Sequence, residues 1–188
     1  KWSNLMATHA MIDIETLGTG PNCVVLTVGA VKFDPWSGTE PHSGFFERLD
    51  VDDQVHMGRV ISDSTLQWWA KQDEHIRQEA LGDEGRISII QFCKKLNKWL
   101  VGCNNIWCQG PQFDMVILEN MYEQFGHHTN WAYWQICDSR TLFNLMPGDP
   151  RKNLDGDQAD HHSALADAYV QAVAVQKSFK HFGVLQGR

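Results

Sequence analysis

Four carboxylates planted in apolar stretches constrain this chain more than any other feature. Asp13 and Glu15 stand in the run Met11-Ile-Asp-Ile-Glu-Thr16. Asp114 follows Gln109-Gly-Pro-Gln-Phe113, and Asp167 closes His162-Ser-Ala-Leu-Ala-Asp167. An ionised carboxylate in core-like sequence is costly unless it is paired or bound to a metal. Acids that are remote along the chain, yet each embedded this way, predict a fold that carries them to one point. The simplest such point is a site for hard divalent cations, because oxygen-only ligands select Mg²⁺ or Mn²⁺ over zinc.

The remaining composition fits one domain spanning residues 1–188, long enough to bury a real core. Within that span residues 1–7, which do not begin with Met, read as an appended remnant, as flexible chain or as part of a longer protein. Hydrophobic residues at 43% and charged residues at 21% exclude a disordered chain. No apolar run approaches the roughly 20 residues of a membrane span, and Lys1 to Ala10 lacks the apolar block of a secretory signal. Five cysteines (Cys23, Cys93, Cys103, Cys108 and Cys137) are odd in number and form no CxxC pair. They argue against a disulfide framework or a zinc site and for reduced thiols in a cytoplasmic protein. A net charge of −7 is unusual for a nucleic-acid binder. Cations bound by four of the acids would offset much of it locally, and a small site can hold a strand end without a broad basic surface.

Apolar periodicity places the acids on elements. Residues 8–15 predict a strand with Asp13 and Glu15 on one face. Strands over 24–33 and 44–49, separated by turn-forming Gly, Pro and Asp, complete an antiparallel meander. Helices are predicted over 63–72 and over 86–101, where Ile89, Cys93, Leu96 and Leu100 recur at helical spacing. Residues 105–109 form a short strand, and Asp114 opens a helix with an apolar face at Ile117, Leu118, Met121, Tyr122 and Phe125. A strand over 136–138 leads into Ser139–Phe143, a loop covers 147–160, and a last helix runs over 163–179. Strands followed by helices alternating with strands predict a mixed α/β layer architecture.

That arrangement permits a specific chemistry. Asp114 stands at a strand-to-helix junction and Asp167 one turn into a helix, both able to lean over the first strand. Four clustered carboxylates repel one another without cations, which predicts two Mg²⁺ ions about 3.5–4 Å apart, with Mn²⁺ as a substitute. Such a pair stabilises the attacking and leaving oxygens of in-line displacement at phosphorus. His162, five residues before Asp167, can swing over the site, and an ordinary imidazole suits a general base toward the attacking water. The implied reaction is phosphodiester hydrolysis.

Asp-Ile-Glu-Thr, Gln-Gly-x-x-Phe-Asp and His-x-Ala-x-x-Asp, in this order and at these separations, resemble the three motifs of DEDDh-type 3′–5′ exonucleases. The resemblance covers residues 8 to 178. With Ser64-Thr-Leu-Gln-Trp68-Trp69 and Ile12 to Pro21, it extends to the DexA and exodeoxyribonuclease VIII-like branch, near which exoribonuclease domains of mycobacteria also fall. It implies an RNase H-like fold, a mixed five-stranded sheet with its first three strands antiparallel, flanked by helices. It also implies removal of nucleotides from 3′ ends with two Mg²⁺ ions. Asp13, Glu15 and Asp167 would hold the tighter ion; Asp13 would bridge to the second, with Asp114 acting there directly or through water. His162 would be the base. Thr16 and Leu17 would meet the terminal nucleotide, by backbone contact and by packing under its base. Gln109 stands where relatives often carry Asn, so its own contact is open.

Each motif also has a structural reading. Phe113-Asp114 taken alone could be a purely structural helix cap, and His161 competes with His162 for the role of base. Of the adjacent Trp68 and Trp69, one can face the core and the other outward. We take Trp69 as a candidate for stacking on a base. Trp131 and Trp134 suit packing, a dimer contact or a strand-end platform. Arg140 and Lys152 are candidate phosphate contacts of low specificity. The expected activity is 3′-to-5′ hydrolysis of single-stranded DNA ends, releasing nucleoside 5′-monophosphates. The rivals are an exoribonuclease acting on RNA ends or short oligonucleotides, and a catalytically silent nucleic-acid-binding adaptor. A homodimer is a further expectation.

Overall fold

The computed structural model describes residues 8–152, 154 and 163–186. Strand β1 (Thr8–Thr16) pairs antiparallel with β2 (Val25–Phe33), which pairs antiparallel with β3 (His42–Leu49). Strands β4 (Arg86–Ile87), β5 (Cys103–Cys108) and β6 (Ile136–Asp138) add in parallel, giving the order β4-β3-β2-β1-β5-β6. The meander and the mixed sheet flanked by helices agree with the sequence reading. The sheet has six strands where five were expected.

The sixth strand replaces the start of a predicted helix. Arg86 and Ile87 pair with Arg48 and Leu49, and helix α4 (Ile89–Trp99) begins only after Ser88, whose hydroxyl accepts from Gln91 N. The Arg86 guanidinium donates to the carbonyls of Leu49 at 2.7 Å and Ala80 at 3.0 Å. Those bonds hold it in extended chain, against a periodicity that alone favoured helix. Two short helices lacked a sequence signal. Helix α1 (Val51–His56) has no apolar stripe and is anchored by buried Gln54, whose amide both accepts from Val25 N and donates to Val25 O at 2.8 Å. Helix α3 (Glu74–Leu81) buries only Ile76 and Ala80 and follows α2 (Asp63–Trp69).

β1 is central and covered on both faces, as its near-continuous apolar run requires. Its even positions Ala10, Ile12 and Ile14 pack with α4 and α5 (Asp114–Gln124). On the opposite face, Met11 joins Val31, Phe33 and Trp107 beneath α6 (Ser139–Asn144) and α7 (Ala164–Phe182). Asp13 and Glu15 therefore share the α7 face with Met11. α7 can approach because β2 carries Gly29 opposite Asp13. A Cβ at Gly29 would lie 2.2 Å from the backbone of Ala164 and Leu165. β1 pairs with β5 only through Met11–Trp107, so the two strands part before Asp13 and leave a cleft between their ends. No helix among the described residues is long and apolar enough to cross a membrane.

Candidate active site

The cleft brings together the acids that the sequence scatters. Asp13, Glu15 and Asp167 each offer a carboxylate oxygen within 4.8 Å of the others. β1 presents the first two and the first turn of α7 the third, where the partial positive charge of a helix N-terminus favours a carboxylate. Asp114, the first residue of α5, is only 5% exposed and stands beside this trio. Its own backbone N–H and that of Ile14 hydrogen-bond to it and favour its charged form.

Burial and mutual repulsion dominate the electrostatics. Glu15 is pushed up to about 9, first by burial and then by Asp167, Asp114 and Glu79. Burial lifts Asp114 to about 7 against the pull of those two backbone N–H groups and of Arg140. Asp13 is raised well above the ordinary carboxylate range by burial and then by Asp114, Glu15 and Asp167; a hydrogen bond from Gln171 opposes them. Buried acids that repel one another this strongly fit divalent cations, and an oxygen-only donor set fits Mg²⁺ or Mn²⁺.

Around the acids lies an open cleft of about 700 Å³, whose lining includes Gln109, Phe113, Arg140, Arg151 and Lys152. Gln109 sits between two arginines. Its carbonyl accepts from Arg140 Nη2 at 2.9 Å and its side-chain oxygen from Arg151 Nη1 at 2.8 Å. Arg140 lies against Gly110, whose φ of +110° suits glycine and where a Cβ would come within 3.1 Å of the guanidinium.

Three expected substrate contacts are placed elsewhere. Trp69 is 1% exposed, packs with Leu26 and Ile76, and donates its indole N–H to Thr16 O at 2.9 Å. Its ring is core and cannot stack on a base; Trp68, 40% exposed, is the outward member of the pair. Thr16 and Leu17 are buried beside it rather than lining the acidic cleft. The Thr16 hydroxyl donates to Gly18 O, and the Leu17 N–H and C=O are bonded to Val24 O and Ser62 N. Trp131 is buried with its N–H on Glu119, whereas Trp134 is exposed. His161 and His162 lie outside the described residues.

The sequence reading missed four participants: Gln171, Glu79, Gly29 and Arg151. Gln171 had a usable signal, a polar residue four after Asp167 on an otherwise apolar helix face. Glu79 had none, because α3 has too few apolar positions to announce itself.

An RNase H-like mixed sheet carrying these motifs and a half-buried acidic cluster defines the class of DEDDh-type 3′–5′ exonucleases, which are nuclease hydrolases. Within that class, the chain belongs to the 3′-5′ exoribonuclease Rv2179c-like domain family, whose model matches residues 8–179. It is 28% identical over 125 residues to the exodeoxyribonuclease of Enterobacteria phage T4, an alignment covering 59% of this chain and 54% of that enzyme. The chain thus spans about half the length of this curated relative. Among solved structures it resembles the zinc-bound complex of E. coli exonuclease I with single-stranded DNA (TM-score 0.64, 15% identity, 95% of this chain and 42% of that one). It also resembles the nuclease domain of 3′hExo, a DEDDh family member bound to rAMP (TM-score 0.61, 12% identity, 95% and 94%). At those identities the likeness concerns the fold.

Proposed function

We propose that the chain shortens single-stranded nucleic acids from their 3′ ends by metal-dependent hydrolysis, releasing nucleoside 5′-monophosphates. The carrying observation is the half-buried trio Asp13, Glu15 and Asp167, whose carboxylate oxygens lie within 4.8 Å and raise one another's proton affinity. Those three would hold the tighter of two Mg²⁺ ions, and Asp13 with Asp114 the second. When bound, such ions supply charge stabilisation to the attacking and leaving oxygens at phosphorus. His162, on the strength of its motif, is the general base that takes the proton of the attacking water. Arg140 and Lys152 on the cleft wall offer positive charge to the phosphate chain, with Arg151 beside them. The five unpaired cysteines support work in a reducing compartment, the cytoplasm.

Two relationships bear on the sugar. The T4 relative, an exodeoxyribonuclease, supports the DNA substrate expected from sequence. The description of the family, whose model spans far more of the chain, supports RNA, which we carry as the second reading. A silent adaptor is disfavoured because it has no use for four clustered, mutually repelling acids.

End-labelled DNA and RNA strands of one sequence, incubated with Mg²⁺, Mn²⁺ or chelator, test the proposal. Metal-dependent stepwise shortening from the 3′ end supports it, and the faster strand assigns the sugar. Binding without shortening under every metal condition would return the adaptor. His162→Ala should slow hydrolysis by roughly 10²–10⁴-fold while Mn²⁺ binding persists. Light scattering on the same samples reads whether the chain pairs with itself.

A further inference from the structure

One turn beyond Asp167, α7 sets a second polar side chain against the acids. Gln171 is 6% exposed, on a helix whose neighbouring inward positions are Ala168, Ala172 and Val175. Its Nε2 donates to Asp13 Oδ1 at 2.9 Å. Its Oε1 is buried and has no partner among the described residues, although the side chain lines the cleft beside Asp13, Glu15 and Asp167. Turning the amide over would set two acceptors face to face, oxygen against the Asp13 carboxylate, so the donor must point to Asp13 whenever that acid is ionised.

An apolar residue would suit this part of α7 better than a glutamine with one end open, because an unpaired buried acceptor carries a desolvation penalty. Asp13 accounts for the amide N–H; the open oxygen calls for a donor from outside the protein. The chemistry of the neighbouring acids supplies one. Mg²⁺ dehydrates reluctantly and keeps several waters when held by carboxylates, and each of those waters is a strong hydrogen-bond donor.

We propose that Gln171 is a positioning residue of the cation site: its Nε2–H fixes the rotation of the Asp13 carboxylate, and its Oε1 receives a hydrogen bond from a water of the hydrated cation. This rests on the metal-site reading of the acids given above. Such outer partners hold ligands in orientation, and losing one weakens metal binding by roughly 10–100-fold. Gln171 thereby couples the two carboxylate-bearing elements, β1 through Asp13 and α7 through Asp167.

The test uses Mn²⁺ alone, with no nucleic acid, titrated by calorimetry into the wild type, Gln171→Met and Asp13→Ala. Methionine keeps the length and helix preference of glutamine and removes both the donor and the acceptor. Expected is about a 10-fold weaker Mn²⁺ affinity for Gln171→Met, with metal-free thermal stability equal to or above that of the wild type. Wild-type affinity in Gln171→Met would overturn the role of Gln171 and leave the metal site standing. Absence of Mn²⁺ binding by the wild type would overturn both. A second measurement needs no variant: the Gln171 side-chain amide resonances should shift on Mg²⁺ addition with the midpoint of metal binding, and an unmoved pair of signals would overturn the proposal.

Discussion

One face of β1 carries a buried polar cluster at each end, and the two are built on opposite principles. At the N-terminal end, His9 is buried among Phe33, Trp36 and Trp107, and its Nδ1 accepts the Trp107 indole N–H at 2.8 Å. Tryptophan can only donate, so that nitrogen is unprotonated, and burial depresses the ring to about 4. A neutral ring with its acceptor filled is compatible with apolar surroundings. Two and three pleats further on, Asp13 and Glu15 are half-buried in an open cleft beside more acids, with Gln171 as a donor to Asp13. What separates the two ends is how far their polar groups are satisfied. A buried polar group that is paired reads as structure, whereas a buried group of like charges reads as a place prepared for a cation.

The contrast can be broken at either end. The largest effect is expected at the acidic one: Asp13→Ala should lower hydrolysis by about 10³-fold or more, the scale of losing a principal electrostatic stabiliser. It should also abolish Mn²⁺ binding in calorimetry. Turnover that survives would mean the acids are structural after all.

The pH dependence of the metal-free protein comes next. Glu15 rises on folding from 4.5 to about 9 and Asp114 from 3.8 to about 7, so the folded state holds protons that the unfolded chain releases. Stability is fully present below the ordinary carboxylate values and is lost as pH climbs toward 9. His9 acts in the other direction: lowered from 6.5 to about 4, it removes stability as pH falls through that interval. Above pH 6.5 His9 no longer contributes; the acids carry the decline, joined near pH 9 by the cysteine thiols, which burial also raises. Thermal melts in chelator should therefore fall by several degrees between pH 6.5 and 9, given ~2–4 °C per kcal/mol for a domain of this size. Mg²⁺ should flatten the decline, and a melting temperature indifferent to both would remove the repulsion from the account.

Gly29→Ala sharpens the comparison by displacing α7 without touching an acid. Its Cβ would meet the Ala164 and Leu165 backbone, which predicts a loss of about 2–3 kcal/mol in urea unfolding, typical of overpacking. Mn²⁺ affinity should fall with it, because Asp167 moves away from Asp13. The smallest effect belongs to the other end. Trp107→Phe strands the His9 acceptor and should cost about 1–2 kcal/mol with Mn²⁺ affinity unchanged. A drop in affinity there would show that the two ends are not independent.

Much of this was legible before any coordinates. β1, β2 and α5 follow from apolar periodicity, and the acids on them stood out because a charge in an apolar run needs a reason. Trp69 shows the limit: adjacent tryptophans announce that one is buried, but not which, and the outcome rests on a hydrogen bond to Thr16 O from another segment. α1 was silent because a single buried amide, Gln54, anchors it in place of a stripe. Arg86 was misread because its carbonyl partners come from Leu49 and Ala80, remote from the local pattern.

By itself the chain of residues determined which acids stand in apolar sequence, their order and the elements that bear them, since periodicity and desolvation are local properties. Only the tertiary structure decided which groups surround those acids. Gly29 admits α7, Gln171 reaches Asp13, Glu79 adds its charge to Glu15, and Thr16, Leu17 and Trp69 turn inward. Each of these depends on contacts between segments remote in sequence, and no local pattern encodes a distance between them.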